Sequence, residues 1–183
     1  MIGSNFYVVA GRRLLWATLV SFAIGSSASA GEQQTVDAFS VWQGQGNIYK
    51  TGAESATFVG AISGLLFVET EEGPADAGRI LCPATMDLSL KDGRQSGSGK
   101  CTITARDGAR AYADWTCRGV HMVGCVGQFT LTGGTERFNG VVGGGPMTVR
   151  SSLYSVAVKL SEDVLTEEAA GIMVWRGFTY ELP

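Results

Sequence analysis

From residue 38 onward the chain repeats one pattern. A run of residues that alternates apolar with polar, or stays apolar, ends in a break carrying Gly or Asp-Gly, and the next run begins. Read against the two-residue period of a strand, these runs predict about eight strands, near 38–49, 56–69, 79–90, 99–106, 110–117, 125–132, 146–159 and 171–181. On 111–117, Ala111, Ala113, Trp115 and Cys117 share one face and Tyr112, Asp114 and Thr116 the other. On 101–106, Cys101, Ile103 and Ala105 oppose Thr102, Thr104 and Arg106. These are half-buried strands. Segment 56–68 is apolar on both faces, with Phe58, Ile62, Leu66 and Val68 against Val59, Ala61, Leu65 and Phe67. A strand buried on both sides needs outside cover, and a second copy of the chain is the expected source. Helical periodicity is nearly absent; Ser161–Leu165, within Glu162–Ala170 and its approach, reads as the start of a single turn.

Two turns are chemically explicit. Lys91-Asp92-Gly93-Arg94 and Arg106-Asp107-Gly108-Ala109-Arg110 each place Asp-Gly between strands, which supplies the positive φ angles of tight hairpins. Successive hairpins make antiparallel neighbours. The reading is an all-β, roughly eight-stranded antiparallel closed barrel, which abolishes the exposed edges of an open sheet; a sandwich of Greek keys is the alternative.

The first thirty residues are of a different kind. Arg12-Arg13 precede an apolar run, Leu14 to Gly25, and the small residues Ser26 to Ala30 end in Ala28-Ser29-Ala30. That order predicts a cleaved signal peptide over 1–30 and a single exported domain over 31–183, periplasmic or extracellular. The run is too short to serve as a membrane span, so none is expected after cleavage. Both charges in residues 1–30 are arginines, which leaves 12 basic against 17 acidic residues, a formal net of −5. An acidic domain with no Lys/Arg cluster is not expected to bind nucleic acid.

Four cysteines remain after cleavage, and an even number in an exported chain favours disulfides. Of three possible connectivities the expected one is Cys82–Cys101, on strands read as neighbours, with Cys117–Cys125 closing a short loop. Zinc would need closely spaced thiolates and more than the single histidine present, so no metal and no cofactor are expected. That histidine, His121, sits in Arg118–Gly124 and reads as an exposed side chain in a disulfide-closed loop rather than as a base. Glu54, Asp87 and Asp114 are carboxylates able to serve acid–base chemistry in a lumen, but read more simply as surface charges. Gly143-Gly144-Gly145 lacks the Lys-Ser/Thr and helix of a phosphate loop.

The aromatics Trp42, Tyr49, Trp115, Tyr154 and Trp175 are read as lying on separate strands. If they point inward they converge, either as a small-ligand site or as the filling of a narrow barrel.

One stretch carries a resemblance. Gly133, Gly134, Thr135, Phe138, Gly140 and Gly143 match the glycine-rich signature of the allene oxide cyclase and dirigent barrel superfamily, and the chain resembles its small exported bacterial members. The resemblance implies the same closed, calycin-like barrel. It departs at Glu136, where the family commonly has glycine and where a positive φ would strain a glutamate. No catalytic residue carries over, because the shared motif is read as a turn and not as lumen. The expected function is binding of a small hydrophobic or phenolic ligand, or of a protein partner, without catalysis, in a possible homo-oligomer. The alternatives are a cyclase or isomerase of the allene oxide cyclase type, and an inhibitor or interaction protein acting through the Cys117–Cys125 loop.

Overall fold

The computed structural model describes residues 32–183, without the side chains of residues 152–154. The leader assigned to residues 1–30 lies outside the described residues. Eight strands follow in order: β1 Gln33–Lys50, β2 Ser55–Thr70, β3 Gly73–Ser89, β4 Arg94–Thr104, β5 Arg110–Val120, β6 Gly124–Gly134, β7 Val142–Lys159 and β8 Val164–Glu181. A short 3-10 turn, Glu136–Phe138, stands between β6 and β7. Each strand pairs antiparallel with the next and β8 returns to β1, so the sheet closes into the expected barrel.

The stagger of that closure can be followed residue by residue. Paired positions run from Ile48 to Phe58, Met86, Gly97, Cys117, Gly127, Met147 and Trp175, and then back to β1 at Ala38. Arriving ten residues before the start on eight strands tilts them by about 40°, which leaves an interior only wide enough for side chains or one small ligand. All these positions point inward, and the lumen is the hydrophobic core.

The strands are longer than the sequence pattern suggests. β8 begins at Val164 and not at 171, which replaces the helical turn expected at Glu162–Ala170 by hairpin pairing from Lys159↔Leu165 onward. Pairing on both sides, with β7 and β1, outweighs the weak local helical preference of Ser161–Leu165. Both Asp-Gly hairpins form as read, with Gly93 at φ +69° and Gly108 at φ +92°.

The hairpins β1–β2, β3–β4, β5–β6 and β7–β8 turn at one end, here the upper, and the described termini lie at the lower. At the lower end a bulge in β1 turns out Asp37. Its carboxylate accepts hydrogen bonds from the Gly177 amide (2.7 Å) and Arg176 Nη1 (2.9 Å), and Arg176 also reaches Glu69. The Gly177 bond first, and then the Arg176 guanidinium, hold the Asp37 carboxyl below its ordinary range.

On the outer wall of β2, Phe67 stacks on Phe39 with ring centroids 5.2 Å apart. Val41, Leu65, Leu81 and Ile172 remain exposed around them on β1, β2, β3 and β8. No helix among the described residues is long and apolar enough to cross a membrane.

Candidate functional site

Large side chains fit inside this barrel because glycines on neighbouring strands make room for them. A Cβ built on Gly99 would lie 2.7 Å from Trp115 Nε1, and one on Gly171 would lie 2.8 Å from Trp42 Cζ2. Gly46 and Gly60 open the same space for the ring of Phe58, each leaving a Cβ position 2.5 Å from it. An aromatic laid over a strand glycine covers backbone that no side chain of its own protects.

Midway along the axis the lumen is solid. Phe129 packs edge-on to Trp175 (5.2 Å) and Phe178 (6.1 Å), with Ile80, Met147 and Cys82 fully buried around them. Both expected disulfides are present, Cys82–Cys101 joining β3 to β4 and Cys117–Cys125 joining β5 to β6, and all four sulfur-bearing residues belong to this core. The second bridge therefore points into the barrel, and the chain between β5 and β6 is a three-residue turn. Within that turn Met122 adopts φ +66°, an unusual conformation for a side chain of its size.

The solid layer divides the lumen into two chambers. The lower measures about 410 Å³ and opens at the end carrying the termini. Its walls are apolar, with Leu66, Ile103, Leu131, Phe129, Trp175 and Phe178 among them, and Asp76, Arg106 and Arg137 stand at its rim. Arg106 Nη2 is 2.8 Å from Asp76, and Arg137 pairs with Asp107 and lies over the ring of Phe138 (4.7 Å).

The glycine-rich stretch borders this lower opening. Thr135 fixes it to β5 twice, donating its amide to the Arg110 carbonyl and accepting the Arg110 amide on Oγ1. A Cβ at Gly134 would meet the Arg110 carbonyl at 2.4 Å. Phe138 then turns inward as part of the chamber wall, so the motif is lumen as well as turn, contrary to the reading from sequence. Glu136 does take a positive φ, +52°, at the position where strain was expected.

The upper chamber is smaller, about 80 Å³, with Trp42, Phe58, Met86, Trp115, Met147 and Met173 among its walls. Its polar groups among the described residues are Gln95, Ser151, His121 and Glu167. His121 Nε2 lies 3.4 Å from Glu167 Oε2, across the gap between the β5–β6 turn and β8, and the Glu167 side chain is only 9% exposed. His121 is thus half-buried and paired, where the sequence suggested an exposed loop residue. Glu167 was not anticipated at all, because the segment carrying it was read as a helical turn; alternation back from Trp175 through Met173, Gly171 and Ala169 places it inward.

The five aromatics do not form one cluster. Trp42 and Trp115 line the upper chamber and Trp175 the lower. Tyr49 lies on the outer wall, 41% exposed, where its hydroxyl meets Asn47 Nδ2. It is seven positions along β1 from Trp42, and an odd spacing places two residues on opposite faces. The Tyr154 side chain lies outside those described. The indole N–H groups of Trp42, Trp115 and Trp175 and the hydroxyl of Ser40 are buried without a hydrogen-bond partner among the described residues. Glu54, Asp87 and Asp114 are surface groups: Asp87 accepts from Thr57 and Asp114 pairs with Lys100 at 2.8 Å. Among the described residues no three His, Cys, Asp or Glu side chains gather as a metal site.

No family model and no curated protein matches the chain. Among solved structures it is similar to a pterocarpan synthase dirigent protein, with a TM-score of 0.38 and 10% identity over 94% of this chain and 100% of that one.

Proposed function

We propose that the protein is an exported barrel that binds a small, predominantly apolar molecule in its lower chamber. The observation that carries this reading is a lower chamber of about 410 Å³ with almost wholly apolar walls, open at one end of a closed barrel. That is the size and lining of an ordinary small-molecule site. A chain that only needed a core would gain stability by filling such a space, since voids in a packed interior are costly. The charged groups at the rim, Asp76, Arg106 and Arg137, are engaged in ion pairs. They offer orientation to a ligand and little proton transfer, which favours binding over turnover. Two buried disulfides support export, because such bridges persist in oxidising compartments.

The test is titration with N-phenyl-1-naphthylamine, whose fluorescence rises in apolar surroundings. Saturable enhancement is expected, and Ala111→Phe, which places a ring in the chamber from β5, should abolish it while thermal unfolding stays cooperative. Ala38→Phe does the same from β1 should the first variant not fold. Enhancement that survives a folded variant of either kind contradicts the reading.

The exposed strip Val41, Leu65, Leu81 and Ile172 favours one addition, that two or more copies associate through the outer wall of β1–β3 and β8. Light scattering decides it: a Leu65→Lys variant should be monomeric where the parent is not, and a monomeric parent removes the idea.

A further inference from the structure

We propose that the upper chamber is a second, chemically distinct site, which takes a small apolar molecule bearing a hydrogen-bond donor, a hydroxyl or an amine, and receives that donor on Glu167.

The reasoning starts from the carboxylate. Glu167 is buried, and its two contacts among the described residues are long: 3.4 Å to His121 Nε2 and 3.5 Å from Ser155 Oγ. A carboxylate has roughly four lone-pair sites, and good charge-assisted hydrogen bonds are shorter, about 2.7–2.9 Å. A buried carboxylate with only these contacts among the described residues is costly unless something else completes it. The barrel position does not require an acid, since the neighbouring inward residues at this end, Ile48, Ala56 and Leu88, form an apolar cluster.

The chamber next to Glu167 then describes what would complete it. Met86, Met122, Met147 and Met173 all line it, and they are the only methionines of residues 31–183. Thioether side chains are pliable and polarisable, and make walls that adapt to an inserted body. Phe58, Trp42 and Trp115 supply flat apolar faces. Two of these walls also carry donors without a partner among the described residues, the buried indole N–H groups of Trp42 and Trp115. A chamber of about 80 Å³ admits a short chain of a few heavy atoms, since an apolar cavity that holds a benzene ring is about twice that size. Donor-seeking at Glu167 and apolar over most of its surface, it fits a small amphipathic alcohol or amine.

The test uses three near-isosteric short-chain probes, 1-propanol, 1-propylamine and 1-chloropropane, which has no donor. They are titrated by NMR into Ala111→Phe, or into Ala38→Phe should that variant not fold, so that the blocked lower chamber takes none of them. The alcohol or the amine should bind about tenfold or more tighter than the chloroalkane, as a hydrogen bond to a charged group gives; which of the two leads identifies the donor. In the same background Glu167→Gln should reduce that preference, and Glu167→Leu should remove it while leaving the chloroalkane bound. Equal affinities for the three probes, no measurable binding of any, or a preference that survives both substitutions at residue 167 would each overturn the proposal. The lower-chamber titration, with a dye too large for this chamber, is independent, so either site can fail without the other.

Discussion

Gly99→Ala should destabilise this barrel although alanine is the better residue for almost any strand. Gly99 lies on β4 opposite Ala84, and its φ is not positive, so no backbone strain attends a side chain there. Space is the obstacle. The added Cβ would sit 2.3 Å from the Pro83 carbonyl oxygen, 2.7 Å from Trp115 Nε1 and 3.0 Å from Trp115 Cε2. The carbonyl belongs to the β3 backbone beside the Cys82–Cys101 bridge and cannot swing away, and the indole is held in the core. Overpacking of this kind costs about 1–3 kcal/mol, while stiffening the unfolded chain returns about 0.4–1 kcal/mol. The net is a loss of about 1–2 kcal/mol, or a fall in Tm of about 2–8 °C for a domain of this size. Gly44→Ala is the internal control. It faces the same lumen from β1, but its Cβ would meet Ile62 Cγ1 and Trp42 Cζ3 at 3.4 Å, an ordinary contact. Its Tm should hold or rise by about 1–4 °C. Thermal unfolding followed by near-ultraviolet circular dichroism reads both. If Gly99→Ala is as stable as Gly44→Ala, the glycines are not what makes room for the indoles.

Other outcomes follow from single features. Replacing Cys82 and Cys101 together by alanine should cost about 3 kcal/mol in urea unfolding, and replacing Cys117 and Cys125 somewhat less, because the bridges span 19 and 8 residues and the longer loop has more entropy to lose; the reverse order would refute a chain-entropy origin. Glu136→Gly should raise the urea midpoint, with a net gain of about 0.5–1 kcal/mol, since it relieves a left-handed residue at slight entropic cost; a lower midpoint contradicts the strain. The Asp92 carboxyl is pulled from its ordinary 3.8 to about 2, first by a hydrogen bond with the Ser89 side chain and then by Arg94. A depressed folded pKa means its stabilisation is complete above the ordinary value and disappears as pH falls through the folded one. A carboxylate NMR titration should therefore place its midpoint near the lower figure, and Asp92→Asn should remove the part of acid destabilisation that falls between the two.

The fold was legible because its signals are local and repeat. Alternation on 101–106 and 111–117 gave the inward faces, the two Asp-Gly turns gave the hairpin order, and neighbouring strands made Cys82–Cys101 the natural pair. The sites were less legible, for specific reasons. Tyr49 was grouped with Trp42 by residue type, although their odd spacing on one strand already separated them. Glu167 was hidden by Ser161-Glu162-Asp163, which looks like a helix start until β7 and β1 are there to pair with it. His121 was read in a loop because nothing local shows that the β5–β6 turn leans toward β8. The division of the lumen depends on how Phe129, Trp175 and Phe178 meet from β6 and β8, a packing relation between strands that no single segment encodes.

The binding role of the lower chamber is tested most directly by methyl NMR of the protein titrated with N-phenyl-1-naphthylamine. Saturable shifts are expected at Leu66, Ile103, Leu131 and Val141, which line that chamber, with Val41, Val59 and Leu81 on the outer wall unmoved. Shifts confined to the outer wall, or none at the four chamber residues, would contradict the account.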